Sequence, residues 1–205
     1  LKESKTEKPF IYKLLGDAYD YSSCENPDYD AIATYYKKAS VLGSTDAIHR
    51  LATVYFYGHM GKDFNQSAEL YKQSAKAGNM SSQYMLGWQY ERGLGVQENV
   101  DKALYWFEKA ALQGEPYAQL ELGNLLMNIN LEQGGTMVEA FSWIKKSAKQ
   151  GVYVAQRILG KCYQYGIGCS RDILESRKWY KEAIKQGDVV SQYLFEKLEK
   201  KSQYS

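Results

Sequence analysis

Apolar side chains along this chain recur every three or four residues, a spacing that predicts helices with one buried face. The clearest example is the set Ala103, Trp106, Phe107, Ala110 and Ala111. A glycine follows each such segment, at the point where a left-handed helix cap is expected. The pattern therefore predicts short helices separated by glycine turns.

This pattern is an internal repeat with a period of 35 to 37 residues. The glycines that end successive repeats are Gly43, Gly78, Gly114, Gly151 and Gly187. Most repeats also carry a Leu-Gly pair such as Leu86-Gly87 within the first helix, and the segment after this pair is the part that changes length. Because loops tolerate insertions, each repeat is predicted to be a helix, a variable loop, a second helix and a short turn. A mid-helix glycine costs about 1 kcal/mol against alanine, so its recurrence indicates close helix–helix approach.

The repeat divides the chain into a lead-in segment, five repeats and a cap. The predicted bounds are 1–10 for the lead-in, about 11–46, 47–81, 82–117, 118–154 and 155–187 for the repeats, and 188–205 for a capping helix and tail. One repeat is too short to bury its apolar face, so neighbouring repeats must stack into a continuous core. The last segment is polar, since Glu196 and Glu199 replace the glycine and tyrosine of earlier repeats. We therefore expect it to close the stack.

Composition excludes several classes of protein. The chain has 205 residues, 24% of them charged, and a formal net charge of +2. This balance gives no electrostatic reason to expect a nucleic-acid partner or an acidic membrane surface. No apolar run approaches the ~18 residues that a membrane span needs, so we expect no membrane insertion.

Residues that commonly carry chemistry are sparse. The three cysteines and two histidines lack zinc-ligand spacing, and no nucleophile elbow, HExxH or phosphate-loop motif is present. We therefore expect no enzyme activity, no metal and no cofactor. Cys162 and Cys169 are predicted to form either a disulfide or two buried free thiols.

The third repeat carries a recognisable set of residues. They are Ser82, Leu86-Gly87, Tyr90, Gly93-Leu94-Gly95-Val96, Asp101-Lys102-Ala103, Trp106-Phe107, Ala110-Ala111 and Gly114. By this set the chain resembles proteins with Sel1-like repeats, which are related to the tetratricopeptide family, and the match covers about residues 10–201. The fourth repeat departs from it, because 128–138 lacks the Gly-x-Gly-Val turn. The resemblance implies an all-α fold, a right-handed α/α solenoid superhelix of helix-turn-helix repeats whose first helices line the concave face.

The resemblance also implies a function. It favours a non-enzymatic scaffold or adaptor that binds another protein through the concave face. An alternative is an immunity protein that neutralises a cognate secreted bacterial effector, for example a lipase. A cell-wall-related enzyme is the least favoured alternative. Bacterial relatives of this kind are often exported or periplasmic, which favours that location over the cytoplasm.

The same resemblance assigns candidate partner-binding positions at about 6, 10, 13 and 14 residues after each terminal glycine. These residues are Tyr21, His49, Phe56, Tyr57, Tyr84, Trp88, Glu91, Arg92, Asn124, Met127, Asn128, Arg157, Lys161 and Tyr165. Aromatic residues and arginine are enriched at interface hot spots, which draws attention to the second and third repeats. The alternative is that several of these aromatics pack against the next repeat. The irregular segment 128–138 is a second candidate site, or else a neutral insertion.

Overall fold

The computed structural model describes the backbone of residues 7–22, 28–58 and 61–202, with side chains except at 7, 8, 18–22, 201 and 202. Within these residues the chain forms eleven α-helices and no strand. They are α1 (Glu7–Ser22), α2 (Tyr29–Val41), α3 (Thr45–Tyr57), α4 (Phe64–Lys76), α5 (Met80–Arg92), α6 (Val100–Leu112), α7 (Pro116–Gln133), α8 (Val138–Lys149), α9 (Tyr153–Tyr165), α10 (Ile173–Lys185) and α11 (Val189–Ser202). Odd-numbered helices are the first helices of the repeats, and even-numbered ones are the second helices.

The chain divides into two compact units, an N-terminal unit (Leu1–Lys109) and a C-terminal unit (Ala110–Ser205). Within each unit, every helix packs chiefly on the helices before and after it in sequence. One core of the N-terminal unit includes Ile32, Tyr36 and Leu51, and one core of the C-terminal unit includes Ile144 and Leu159. The all-α prediction from the hydrophobic period is confirmed.

Short polar side chains and glycines set the helix ends. Asp63 accepts a hydrogen bond from the Gln66 backbone N–H at 2.9 Å, and Asn79 accepts one from Ser82 at 2.8 Å. Such N-caps satisfy backbone donors that have no partner within the helix. The five terminal glycines of the repeats all have φ between 86° and 98°, a region that side chains rarely adopt. The prediction of left-handed turns at these positions is confirmed.

The glycine of the Leu-Gly pair lies where two helices of one repeat meet. A Cβ added to Gly87 would stand 2.7 Å from the Phe107 ring, and one added to Gly160 would stand 2.6 Å from the Tyr180 ring. Both distances are shorter than any normal carbon–carbon contact, so the second helix packs on bare backbone. The predicted close approach is confirmed.

A ladder of glutamines links three of the first helices to the repeat before them. Gln83, Gln119 and Gln156 stand at the same position of α5, α7 and α9, and each donates a hydrogen bond to a backbone carbonyl near the end of the preceding second helix, at 3.1 to 3.3 Å. In the C-terminal unit a second glutamine adds to the contact, since Gln186 donates to the Gln156 Oε1 at 2.9 Å. Carbonyls at helix ends lack intrahelical donors, and this ladder supplies them.

The fourth repeat differs from its prediction. The expected loop at 128–138 is wrong over most of its length, because α7 continues to Gln133 and ends at Gly134, which has a φ of 71°. The repeat has no glycine where Gly93 and Gly166 end α5 and α9, so the helix runs on until the next glycine. Only 134–137 connects α7 to α8.

Cys162 and Cys169 are both free thiols. The Cys169 Sγ lies 3.6 Å from the Cys162 backbone oxygen, and Cys162 is buried. Of the two predicted alternatives, the structure has the unpaired one. In the part of the chain that the structure describes, no helix has the length and apolar character needed to span a membrane.

Candidate protein-binding surface

The first helices of the N-terminal unit lie side by side and present one face. The Arg50 Nε on α3 is 3.9 Å from the Asp17 Oδ1 on α1, and the His49 Nδ1 is 2.9 Å from the Ser82 Oγ on α5. These contacts between consecutive first helices place their exposed sides next to one another. We call this side of each unit the first-helix face.

Phe56 lies beneath this face rather than on it. Its side chain is 8% exposed, and its ring makes edge contacts with Phe64 at 5.4 Å and Trp88 at 5.6 Å between centroids. The prediction that Phe56 is available to a partner is therefore wrong. The 3.6-residue period gives the direction of a side chain, and the covering rings come from α4 and α5.

Trp88 is the best-supported aromatic on the face. It is half-buried, with Phe56 against its edge and the Arg92 guanidinium carbon 4.5 Å from its ring centroid. The Glu91 carboxylate lies 3.9 Å from the Arg92 Nε. The Tyr57 side chain is 57% exposed, and its ring contacts the ring of Phe56, the residue before it in sequence. We call Tyr57, Trp88, Glu91 and Arg92 the tryptophan patch.

The side chains of His49 and Tyr84 are engaged mainly in contacts within the protein. The pKa of His49 is lowered to about 4, chiefly by burial and in addition by the Arg50 charge, while Asp46 opposes the shift. The imidazole is therefore neutral at pH 7 and holds Ser82 across the repeat boundary. Tyr84 is half-buried, with its ring 6.1 Å from that of Phe107.

The C-terminal unit has fewer aromatics on its first-helix face. Lys161 and Tyr165 are exposed on α9, whereas Arg157 forms a 2.6 Å ion pair with the buried Asp188. Asn128 is exposed on α7. The other two predicted positions on α7 are half-buried: Asn124 donates a 3.4 Å hydrogen bond to Glu121, and Met127 packs against the core.

The Tyr21 side chain lies outside the described residues. Two functional candidates were missed by sequence reasoning, namely Tyr193 and Lys197 on α11. They stand 6 and 10 residues after Gly187, the same spacing that selects positions on the other first helices. The spacing after the terminal glycine therefore indicated these two residues. They were missed because the last helix is predicted only to cap the stack of repeats.

Among the described residues no group of three or more His, Cys, Asp or Glu side chains is arranged to hold a metal ion. The features that the face does offer are exposed rings and charges supported by a packed layer beneath them. Such a surface can bind by shape, apolar contact and ion pairing.

A family model described as "Sel1 repeat" matches residues 45–79, 81–115, 116–152 and 154–188. Among curated proteins, the chain is 28% identical to chitin synthase regulatory factor 3 of Schizosaccharomyces pombe over 71% of the chain and 20% of that protein. It is 31% identical to the chitin synthase regulator SKT5 of Saccharomyces cerevisiae over 62% of the chain and 19% of that protein. The chain thus spans about a fifth of the length of these relatives.

Solved structures share the fold. The protective antigen c5321 of uropathogenic Escherichia coli matches with a TM-score of 0.81 and 27% identity, over 93% of this chain and 41% of that one. A Sel1 repeat protein from Oxalobacter formigenes gives 0.80 and 26%, over 93% and 78%. The immunity protein Pa5087 of Pseudomonas aeruginosa gives 0.55 and 22%, over 93% and 69%, a likeness of fold alone. These neighbours confirm an all-α solenoid.

Proposed function

The chain belongs to the Sel1 repeat family, whose members generally act as protein-interaction scaffolds, and we propose that it is a non-enzymatic adaptor that binds a partner protein through its first-helix faces. The relatives named as chitin synthase regulators support a regulatory or adaptor role. They share about a fifth of their length with this chain, so the partner named for them is not carried over.

The observation that carries this proposal is the setting of Trp88. Its indole ring contacts the Phe56 ring at 5.6 Å and the Arg92 guanidinium at 4.5 Å, yet the side chain is only half-buried. Trp, Tyr and Arg are the residues most enriched at interface hot spots. A side chain that is already held in place loses less conformational entropy on binding, which favours affinity.

The buried Phe56 supports the patch from below. Its ring contacts both Tyr57 at 5.1 Å and Trp88, so one buried side chain positions two accessible ones. An arrangement of this kind keeps the exposed rings in defined rotamers. We infer that the tryptophan patch is the principal anchor for the partner.

A double substitution tests this proposal. In Tyr57→Ala/Trp88→Ala both accessible rings are removed while the buried Phe56 remains. Tyr105→Ala is the matched control, because Tyr105 is 50% exposed on α6, a second helix. Circular dichroism melting of each variant verifies that the helices still form.

Wild-type and variant proteins are immobilised and exposed to a cell lysate, and the proteins that each one retains are compared. The affinity of any protein retained by the wild type and not by the variant is then measured by titration calorimetry. Loss of one hot-spot side chain costs about 2 kcal/mol or more, so the double variant is expected to bind at least roughly thirtyfold more weakly. The control is expected to bind as the wild type does. Equal retention by the wild type and the double variant would contradict the proposal.

Neutralisation of a secreted bacterial effector is the second candidate. The immunity protein Pa5087 shares its fold with this chain at 22% identity, which is a likeness of fold alone. Co-expression with the product of a neighbouring reading frame separates the candidates. Rescue of growth from a toxic product, lost in Tyr57→Ala/Trp88→Ala, would favour an immunity role over a general adaptor.

A further inference from the structure

The formal charge of +2 conceals an uneven distribution along the chain. Residues 1–144 contain 13 Lys and Arg against 18 Asp and Glu, a net charge of −5. Residues 145–205 contain 13 Lys and Arg against 6 Asp and Glu, a net charge of +7. The fifth repeat and the capping helix therefore lie in a strongly basic part of the chain.

Helix α9 contributes an uncompensated positive charge to the first-helix face. It contains no acidic residue, and its Arg157 is neutralised by Asp188 at 2.6 Å. Lys161 is exposed and makes no ion pair with any described residue. One turn further on, the Tyr165 side chain is 61% exposed.

Helix α11 continues this pattern in the same register. Lys161 stands 10 residues after Gly151, and Lys197 stands 10 residues after Gly187. The Tyr193 side chain, one turn before Lys197, is 62% exposed. Lys200 is exposed on the same side of α11, since it follows Lys197 by three residues. We call Lys161, Tyr165, Tyr193, Lys197 and Lys200 the basic face.

The two carboxylates of α11 offset these charges only in part. Glu199 forms an ion pair with Arg177 on α10 at 2.5 Å. Glu196 accepts a 2.6 Å hydrogen bond from the Gln192 Nε2 and lines the same shallow groove as Tyr193, Lys197 and Lys200. The lysines of the basic face still outnumber this one carboxylate, so the face keeps a positive charge.

Lysines on the second helix of the same repeat are in a different situation. Lys178 pairs with Glu175 at 3.0 Å, and Lys185 pairs with Glu182 at 2.7 Å, both within α10. These pairs neutralise Lys178 and Lys185 locally. The two lysines therefore supply a matched control of the same residue type in the same unit of the chain.

We propose that the basic face binds an acidic segment of the partner polypeptide. This inference rests on the proposed function, which makes the partner a protein. The lysines supply ion pairs to carboxylates, and the exposed tyrosines supply apolar contact and a hydroxyl beside them.

The register gives the spacing of the acidic residues. The Arg157–Asp188 ion pair joins α9 to the start of α11, where Asp188 accepts a hydrogen bond from the Ser191 backbone N–H. Neighbouring helices typically lie about 8–10 Å apart, and an extended chain advances about 3.3 Å per residue. At that separation, a segment that crosses from α9 to α11 would present carboxylates to Lys161 and Lys197 from positions about three residues apart.

Fluorescence anisotropy with defined probes tests this inference on the full chain. The probes are a fluorescein-labelled glutamate-rich peptide with acidic residues three apart, the same peptide with glutamine in place of glutamate, and a labelled oligothymidylate. Co-sedimentation with phosphatidylcholine vesicles containing phosphatidylserine is measured alongside. The proteins are the wild type, Lys161→Gln/Lys197→Gln and the control Lys178→Gln/Lys185→Gln.

We expect the wild type to bind the glutamate peptide and not the glutamine peptide, with weaker binding as salt is added. The Lys161→Gln/Lys197→Gln variant is expected to lose about tenfold in affinity, since each exposed charge pair contributes modestly. The control, which carries the same net charge, is expected to bind as the wild type does. Equal losses in both variants would show that net charge alone attracts the peptide, and would overturn the inference.

Two further results would also overturn it. One is the absence of binding to the glutamate peptide. The other is tighter binding of oligothymidylate or of the anionic vesicles with the same loss in Lys161→Gln/Lys197→Gln, which would assign the basic face to another class of ligand. The proposed function is judged separately, because Tyr57→Ala/Trp88→Ala leaves every residue of the basic face intact.

Discussion

The Tyr180 ring lies over Gly160, so close that a Cβ on the glycine would stand 2.6 Å from the nearest ring carbon. The tyrosine is fully buried, and its hydroxyl donates a 2.7 Å hydrogen bond to the Gln164 Oε1 on the same helix as the glycine. The missing side chain of one helix and the ring of the other thus make a single contact between α9 and α10. This contact sets how closely the two helices of the fifth repeat approach.

The first prediction concerns this contact. In Gly160→Ala the added methyl displaces the Tyr180 ring, an overpacking that costs about 1–3 kcal/mol. The helix propensity of alanine offsets about 1 kcal/mol of this cost, so the free energy of unfolding is expected to fall by about 0–2 kcal/mol. Urea unfolding followed by circular dichroism measures the net change.

Lys161→Ala is the control for helix propensity, since Lys161 is the next residue and is exposed. Its unfolding free energy is expected to stay within about 0.5 kcal/mol of the wild type. A Gly160→Ala protein more stable than the wild type would contradict the role of close approach.

The second prediction concerns the glutamine ladder. Gln156→Ala removes a buried side chain that donates to the Ala148 carbonyl at 3.3 Å and accepts from Gln186 at 2.9 Å. Each intramolecular hydrogen bond contributes about 0.5–1.5 kcal/mol, so the loss of both is expected to lower the free energy of unfolding by about 1–3 kcal/mol, and thermal unfolding should show a lower midpoint. Gln192→Ala is the matched control, since Gln192 has the same position in α11 but is exposed and bonds to Glu196. Similar losses in the two variants would contradict the prediction.

Sequence periodicity accounts for much of this fold because each repeat restates the same constraints. The mid-helix Gly87 and Gly160 predicted helix contacts that the structure has, with Phe107 and Tyr180. The regular spacing failed where a stop signal was missing, since α7 runs past Asn128 until Gly134.

The candidate site was harder to predict than the fold. Periodicity placed Phe56 and Trp88 on the same side of consecutive helices, but burial depends on what lies above each ring. Phe56 is covered by rings from α4 and α5, whereas Trp88 is only half-buried, with Arg92 over its ring. These contacts join residues far apart in sequence, and no local pattern of apolar positions contains them.

The third prediction follows from the lowered pKa of His49. The folded pKa is about 4 and the unfolded one is 6.5, so the unfolded chain takes up a proton at a higher pH than the folded chain. The stability linked to neutral His49 is therefore complete above pH 6.5 and is lost as the pH falls towards 4. At pH 5 the loss is expected to be about 1–2 kcal/mol relative to pH 7.

Urea unfolding of the wild type and His49→Asn at pH 7 and pH 5 measures this difference. The variant loses the contact with Tyr71 at both pH values, so it is expected to be less stable throughout but to show a smaller pH dependence. An identical fall in stability for both proteins would assign the pH dependence to other groups.

The fourth prediction concerns thiol reactivity. The pKa of Cys162 is raised to about 12, chiefly by burial and in addition by the neighbouring Cys169. Because the thiolate is the reactive form, iodoacetamide is expected to leave Cys162 unmodified in the folded protein and to modify it in urea. Cys169 is half-buried and is expected to react before Cys162 under native conditions. Peptide mass spectrometry measures both rates, and equal native labelling would contradict the difference.

The packing of each helix chiefly on its sequence neighbours has a consequence for how such chains change over generations. Because few contacts within a unit join distant parts of the sequence, duplicating or deleting one helix pair disturbs only the junction on either side. The glycine-capped turns recur at successive junctions, and the glutamine ladder recurs at several of them. A duplicated helix pair therefore brings the residues that form its own junction contacts. The reach of the molecule can therefore be adjusted in the gene by whole repeats, while residues such as Trp88 and Lys161 diverge independently to suit different partners.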